Sequence, residues 1–504
     1  VYAGSFYAFS IWIGLGVLAL YGALKQVLGR ESIAPALAAT LLGAAVPGIL
    51  CAENWDDHDR SHRSMARDVG YNYLTSIVEK EGVSPIIVNY GDNDTFPLWF
   101  NQEVDGVRTD VRIMNSSYLD GEWYVDEMKC KANNADGIPF SLSRDKYTFV
   151  NDWLPVEQRV DYAVDAKEVM AFIASDDKRT KIDAGLGLSD YVPTKRIALP
   201  VDKEAAIASG IVREEERDLM VDTVYIELRK GSISRSELML LDMLAHFDWK
   251  RPIYFTQVYI LQNFGLLDYL QFDGYSYRFV PILTPYESSW SVGRINADYA
   301  YDVLMNKMRY GNLQDPRAYV DSFTQYNLMV SRARESFARV ANEYIRRSQN
   351  EKREGREEAA NASLLRAEEL LDRGLAVLPP SQIRFTEANT YPFIESYYSL
   401  GADDKGDALL LAYADNLIDY IEYYLQFEGV YGDLVNDVMG EKIDELWQTY
   451  YLAAYADRQE VVASLNEYFR SLGIEDKDLI LTDAEKEAAA KAANAAEATD
   501  STKI

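Results

Sequence analysis

The sequence is poor in the residues that build most metal and redox centres. Its 504 residues include two cysteines, Cys51 and Cys130, and three histidines, His58, His62 and His246. Cys51 closes an apolar run, so no disulfide framework is implied, and three histidines leave little room for a zinc site. Basic residues are scarce as well: 51 Lys and Arg stand against 80 Asp and Glu, a formal net charge of −29 at pH 7. The first 52 residues hold only Lys25, Arg30 and Glu31 as charged groups, so the negative charge lies beyond them. So acidic a body repels phosphate backbones, which argues against nucleic acid as a partner. There is no P-loop, no glycine-rich dinucleotide fingerprint after a strand and no HExxH pair. Lone serines lack a nearby histidine, His246 falls in a Leu/Met-rich helix and reads as a core or edge residue, and the 36 tyrosines read as packing and surface groups.

Two long uncharged runs are present, residues 5–24 and 33–52. Each is about 20 residues, the length that crosses a hydrocarbon core as a helix. The first lacks the basic flank of a signal peptide, and a second span follows it closely. Pro35 falls in the first turn of the second span, where it is tolerated, and Pro47 near its end, where a kink is expected. The connecting turn carries Lys25 and Arg30, and the positive-inside rule puts it in the cytosol. Residues 53–504 are then expected to face the periplasm or an extracellular space. Tyr2, Tyr7, Trp12 and Trp55 cluster toward that outer side as interfacial aromatics do. The alternative, a buried hairpin in a soluble protein, is disfavoured because two such runs in tandem are rare in soluble folds. A chain that begins at Val1 with a lone hairpin is expected to be part of a longer protein with further spans ahead of it.

The remainder divides by periodicity. PIIVNY (85–90) predicts a buried strand, GDNDTF a turn, and PLWFNQEV a short helix with Pro97 in its first turn. VRIMN (111–115) predicts a second strand, followed by an amphipathic stretch over 122–131. This β-α-β-α rhythm favours a parallel sheet with right-handed crossovers. TVYIELR (223–229) and RPIYFTQ (251–257) are further strands, with a helix over 234–247 between them; 133–220 is polar and carries little pattern. Helical periodicity sets in near 320, with helices expected over 320–349, 358–378, 386–400, 405–427, 434–456 and 458–471. Leu364, Ala367, Leu371, Gly374, Leu375, Val377 and Pro379 fall on the spacing of a tetratricopeptide repeat (TPR) second helix, with Gly374 in place of its usual Ala. The expected class is α+β/α: a transmembrane hairpin (1–52), an α/β domain with a mainly parallel sheet (53–315), a TPR-like helical domain (316–473), and a frayed or disordered Ala/Glu/Lys-rich tail (474–504).

Two segments can carry chemistry. Glu53, Trp55, Asp56, Asp57, His58, Asp59 and Arg60 put four acids, an imidazole and a guanidinium at the end of the second span. Such a cluster binds a cation, orients a phosphate through Arg60, or holds an acceptor by carboxylate hydrogen bonds. It also suits a solvated stretch that caps the next helix. Asp92, Asn93 and Asp94 follow Gly91 at the end of the first predicted strand, where ligands bind in open α/β sheets. Asp92 and Asp94 suit Mg²⁺, Ca²⁺ or sugar hydroxyls, and Gly91 permits a positive φ. The competing view is an Asx-turn with Asp94 or Thr95 capping the Pro97 helix.

ENWDDHDRS-x-R (53–63), NYGDNDTFPLWFNQEVDGVRTDVRIMN (89–115) and WKRPIYF (249–255) resemble domain-of-unknown-function family 2723. These are bacterial membrane proteins related to eukaryotic transmembrane protein O-mannosyltransferases. The resemblance covers most of residues 33–470. It implies a multispanning N-terminal half, an outward-facing C-terminal half, and a glycosyltransferase of the C type that uses lipid-phosphate-linked sugars. In such enzymes the catalytic acid sits in an early outer loop that this sequence does not contain. The fragment is therefore not expected to be active alone, and no catalytic residue is carried over. By position, Trp55-Asp56-Asp57 is similar to the Trp- and Asp-bearing acceptor motif of some C-type oligosaccharyltransferases. Residues 54–60 and 91–95 are on this basis expected at the acceptor or donor-phosphate side of the active site.

The reading is thus the C-terminal part of an inner-membrane, multi-pass enzyme. It is expected to move a mannose-like sugar from a polyprenyl-phosphate carrier to Ser or Thr of exported proteins, with its soluble part periplasmic. The rival is a non-catalytic, membrane-anchored scaffold that recruits partners through its helical domain. A soluble sugar hydrolase would need paired carboxylates across a cleft, and Asp92 and Asp94 are too close in sequence to show that.

Overall fold

The computed structural model describes residues 3–29, 31–148, 153–183, 187–286, 291–322, 324, 330–427 and 432–487. The chain divides into two compact units, residues 1–63 and 64–504.

The first unit is a pair of helices, Ala3–Leu28 and Ala34–His58. They pack on one another where Gly43 faces Val17; a Cβ at Gly43 would stand 3.1 Å from Val17 Cγ2. Pro35 lies in the first turn, and the helix continues through Pro47. It also runs past the expected boundary at 52, so Glu53–His58 extends the second span as helix. Both helices are long and apolar enough to cross a membrane. Their apolar side chains point outward: Phe6, Trp12 and Leu41 are 73%, 71% and 71% exposed. A soluble protein would not leave so continuous an apolar surface in water, and the hairpin associates the chain with a membrane.

The second unit is built on a six-stranded sheet. Its order is Arg294–Ile295, Leu270–Phe272, Tyr277–Phe279, Ile253–Phe255, Ile86–Asn89, Arg112–Asn115. Ile86–Asn89 is parallel to both its neighbours, in register Val88↔Phe255 and Asn89↔Asn115. Tyr277–Phe279 is antiparallel to the strands on both its sides. The sheet is therefore mixed, with three of its five pairings parallel. The rhythm of residues 85–131 is a parallel crossover, but the return through 270–279 is a tight hairpin, which forces antiparallel pairing. TVYIELR likewise lies in a separate three-stranded sheet: Thr223–Glu227 is antiparallel to Arg196–Pro200, which pairs in parallel with Val164–Asp165.

Side chains alternate across the main sheet. Ile86 and Val88 enter one core with helix Arg235–His246 and the 119–282 region. Ile87, Ile113, Tyr254 and Phe272 enter another, shared with helix Met65–Ser76 and with the helical half. That half comprises Val330–Arg353, Glu357–Val377, Glu387–Leu400, Asp403–Leu425, Asp433–Tyr455 and Gln459–Ser471. The expected start of its first helix falls partly outside the described residues. Gly374, on the TPR-like spacing, packs against Phe337; a Cβ there would stand 2.9 Å from the ring. At the helical centre Arg334 is fully buried, and among the described residues no carboxylate pairs with it. Its guanidinium donates to Leu378 O, Ile383 O and Asn389 Oδ1, and burial pushes its pKa down to about 9. The expected tail is packed at its start: Tyr450 Oη and Asn466 Nδ2 donate to Ile480 O at 2.9 and 3.0 Å, and Arg470 meets Glu485 at 3.1 Å.

Candidate functional site

The carboxyl ends of the parallel strands Ile86–Asn89, Arg112–Asn115 and Ile253–Phe255 lie side by side, and the chemistry gathers there. GDNDTF is not a turn ahead of a helix: a single helix, Gly91–Glu103, begins at Gly91 and carries Pro97 in its interior. Gly91 has φ +73°, the left-handed value that swings the chain from strand into helix within one residue. Asp92 and Asp94 occupy the first turn, where the helix dipole favours negative charge.

Two asparagines end adjacent strands and hold this turn. Asn89 and Asn115 are both fully buried, and both amides meet the hydroxyl of Thr95, Asn115 Nδ2 at 2.9 Å. Asn115 Oδ1 in turn accepts from Gly91 N at 3.2 Å and Ser117 N at 2.9 Å. The helix start is thereby fixed to two strand ends at once. On its other side Asn101 Nδ2 donates to Arg67 O and to Pro97 O, both at 2.8 Å, tying the helix to Met65–Ser76.

Asp94 is 1% exposed. Thr256 Oγ1 donates to its Oδ2 at 2.7 Å and Gln257 Nε2 reaches the same oxygen at 3.4 Å. Burial raises the pKa of its carboxyl; the bonds from Thr256, Gln257 and Tyr90 N–H, and the field of Arg332, oppose the rise. Asp92 points elsewhere. It is exposed and accepts a hydrogen bond from Tyr118 Oη, whose pKa that bond raises. The cation held jointly by Asp92 and Asp94, expected as Mg²⁺ or Ca²⁺, therefore has no shared site. Two positions apart on a helix, the carboxylates diverge by about 200°. Among the described residues no group of three or more His, Cys, Asp or Glu side chains is placed to hold a metal. Asn93 lies half-buried between the two acids.

Behind Thr256 opens a cavity of about 300 Å³, walled by Tyr73, Phe272, Tyr275 and, from Val330–Arg353, Arg332 and Glu335. Tyr90 and Tyr259 meet edge to face at 5.2 Å, and Phe96 stands 54% exposed beside Trp99. Neither the cavity nor the Asn–Thr–Asn clamp was anticipated from sequence. The matching asparagines that end the strand runs IIVN and RIMN were the available signal.

The juxtamembrane residues belong to the first unit. Trp55 is 61% exposed on the last turns of Ala34–His58, with Asp56, also exposed, beside it. The Asp57 side chain lies outside the described residues. His58 Nδ1 lies 3.0 Å from Asn54 O. Asp59 ends the helix, its N–H bonded to Trp55 O, while its carboxylate accepts from Ser61 N and Oγ at 2.9 and 2.6 Å, which lowers its pKa. Arg60 is exposed. The next helix is preceded by Ser64, whose side chain makes no cap bond.

Residues 66–299 match the family model of TMEM260-associated domain 2. This match overturns the resemblance to domain-of-unknown-function family 2723, since the model that fits this stretch belongs to a different family. The 89–115 and 249–255 motifs fall inside the matched stretch, and 53–63 falls outside it. No curated protein and no solved structure is significantly similar to the chain. The matched domain covers less than half of the chain.

Proposed function

We propose that residues 64–504 form the extracytosolic part of a membrane glycosyltransferase that takes a sugar from a polyprenyl-phosphate carrier and passes it to exported proteins. One observation carries the reading: a TMEM260-associated domain directly follows two helices able to span a membrane. The basic turn with Lys25 and Arg30 supports an outward orientation of the body. Chemically the reaction is a displacement at the anomeric carbon: a carboxylate base takes the proton of the acceptor hydroxyl, a carbon–oxygen bond forms, and the lipid phosphate leaves with its electron pair. No residue of this chain is assigned as that base. In the periplasm of a cell with an inner membrane, the body would stand beside both carrier and substrate.

The test compares a strain expressing the protein with its deletion strain, following transfer from a radiolabelled polyprenyl-phosphate sugar to exported protein. Loss of labelled protein in the deletion strain, restored by re-expressing the protein, supports the reading. Equal labelling in both strains overturns it.

A second reading has its own support. An 860 Å³ groove in the helical half is lined by Tyr391, Tyr413, Tyr420, Glu387, Glu395 and Glu441. A membrane-anchored scaffold with TPR-like helices would use such a surface for partners. In that case the deletion strain keeps its sugar transfer, and crosslinking at Tyr420 traps protein partners.

A further inference from the structure

The groove of about 860 Å³ in the helical half is lined by carboxylates and aromatic rings. Glu387, Glu395, Glu441 and Glu445 face two cations, Arg384 and Lys442. Lys442 is already committed: its ammonium pairs with Glu445 and lies 3.9 Å from Glu441. Glu395 is exposed to the groove, and no hydrogen bond or ion pair among the described residues engages it. The groove walls still withdraw it from water enough to raise its pKa, and no neighbouring cation opposes the rise. The aromatic lining is held from below by Tyr413, which is buried and donates from Oη to Glu445 Oε2 at 2.6 Å. The rings of Phe385 and Tyr391 both stand 5.5 Å from its own, and Tyr391 Oη donates to Glu445 O at 2.8 Å. Phe385, Tyr391, Tyr420 and Tyr424 are only half-buried, so each keeps part of its ring open to the groove.

We propose that this groove binds an extended, positively charged peptide segment, with an Arg or Lys side chain lying over the tyrosine rings beside Glu395. A guanidinium or ammonium is drawn both to an aromatic face and to a carboxylate, and the groove presents the two together. A cation beside Glu395 would offset the cost of holding that carboxylate away from water, whereas an anionic segment would add to it. Length selects a peptide over a single small cation. Tyr413, Leu417, Tyr420 and Tyr424 line the groove from one helix, Asp403–Leu425. From position 413 to position 424 that helix rises about 16 Å, the span of about five extended residues. Asn342 and Asn416 supply donors and acceptors for the backbone amides of such a segment. The inference deepens the partner-binding reading of this groove by giving the partner a charge. A groove that takes partners of another charge would fail the test below and still pass the crosslinking at Tyr420.

The test is fluorescence anisotropy on the whole chain in uncharged detergent micelles, at physiological ionic strength so that long-range attraction to the acidic body is screened. The probe is a fluorescein-labelled peptide of alternating Arg and Ser, compared with a counterpart of alternating Glu and Ser. Saturable binding of the Arg–Ser peptide is expected, and none of the Glu–Ser peptide. Glu395→Gln and Tyr420→Ala should each weaken binding about tenfold, while Tyr420→Phe, which keeps the ring, should not. Glu81→Gln removes an exposed charge outside the groove lining and should bind as the unaltered protein does. The Glu395 side chain bonds nothing, so Glu395→Gln should leave the thermal transition unchanged and remains a fair test if Tyr420→Ala fails to fold. The proposal is overturned if the Glu–Ser peptide binds as tightly, or if Glu395→Gln leaves binding intact. It is equally overturned if Glu81→Gln weakens binding as much as Glu395→Gln does, or if spermidine displaces the peptide at equal concentration.

Discussion

Thr256 Oγ1 donates to Asp94 Oδ2 across 2.7 Å, a bond between residues 162 positions apart in the chain. It closes the end of the crevice between two parallel strands, linking the helix after one to the residue after the other. The carboxylate it holds is almost fully removed from water, and removing the acceptor strands the Thr256 hydroxyl. Asp94→Ala is therefore expected to destabilise the second unit by about 1–3 kcal/mol, read from urea unfolding by circular dichroism.

The same carboxylate sets a pH dependence. Burial raises the pKa of Asp94 in the fold above its unfolded value, so the fold binds that proton more tightly than the unfolded chain does. Its contribution to stability is fully present below the unfolded pKa and is lost as pH rises through the folded one. Asp94→Asn keeps an oxygen for Thr256 and cannot ionise. Its stability relative to the parent should rise as pH climbs through that window, measured as the difference in Tm between the two proteins. A difference that stays flat from pH 3.5 to 7 contradicts the assignment.

Asn115 offers a test of the strand-end clamp. Its side chain bonds Thr95 Oγ1, Gly91 N and Ser117 N, all buried or half-buried. Asn115→Ala leaves several of these groups unpaired and should cost about 2–4 kcal/mol. Hydrogen exchange should show Gly91–Glu103 losing protection before the main sheet does.

Gly70 marks a close contact between two helices. A Cβ there would stand 2.2 Å from Pro97 O, a backbone atom that cannot rotate away. Gly70→Ala must push Met65–Ser76 off Gly91–Glu103 and should cost about 1–3 kcal/mol in spite of alanine's higher helix propensity. A gain in Tm would contradict this packing.

His246 supplies a shift of the opposite chemical kind. Its Nδ1 lies 3.0 Å from Asp242 Oδ1, and that bond raises its pKa above the ordinary histidine value. The stabilisation is present below the unfolded pKa and fades as pH rises through the folded one. His246→Gln should lose more stability at pH 5.5 than at pH 8, and a loss equal at both values excludes the ion pair.

The hairpin and the late helices were legible because their signal is local. An uncharged run of 20 residues, or apolar positions three and four apart, needs no knowledge of the rest of the chain. Edges such as 357–377 and 387–400 fell within a residue of expectation for that reason. The sheet was half legible: IIVN and RIMN read as strands, but the antiparallel hairpin of Leu270–Phe272 and Tyr277–Phe279 lies in a stretch without alternation. GDNDTF misled because glycine, asparagine and aspartate favour turns, while here buried bonds from Asn89 and Asn115 hold the same residues in a helix. The cavity was beyond reach of local pattern. Tyr73, Tyr275 and Arg332 meet only because the second core joins the sheet to the helices.

That shared core has a practical consequence for anyone dissecting the molecule. The apolar side chains of Ile87 and Tyr254 and those of Phe337 and Tyr344 belong to one continuous interior. A scissor cut near residue 316 would tear it open and leave two sticky, insoluble pieces. Residues 64–487 should instead be expressed, swapped or crystallised as a block, and a lesion at Phe337 should be felt at the sheet as promptly as one at Ile87.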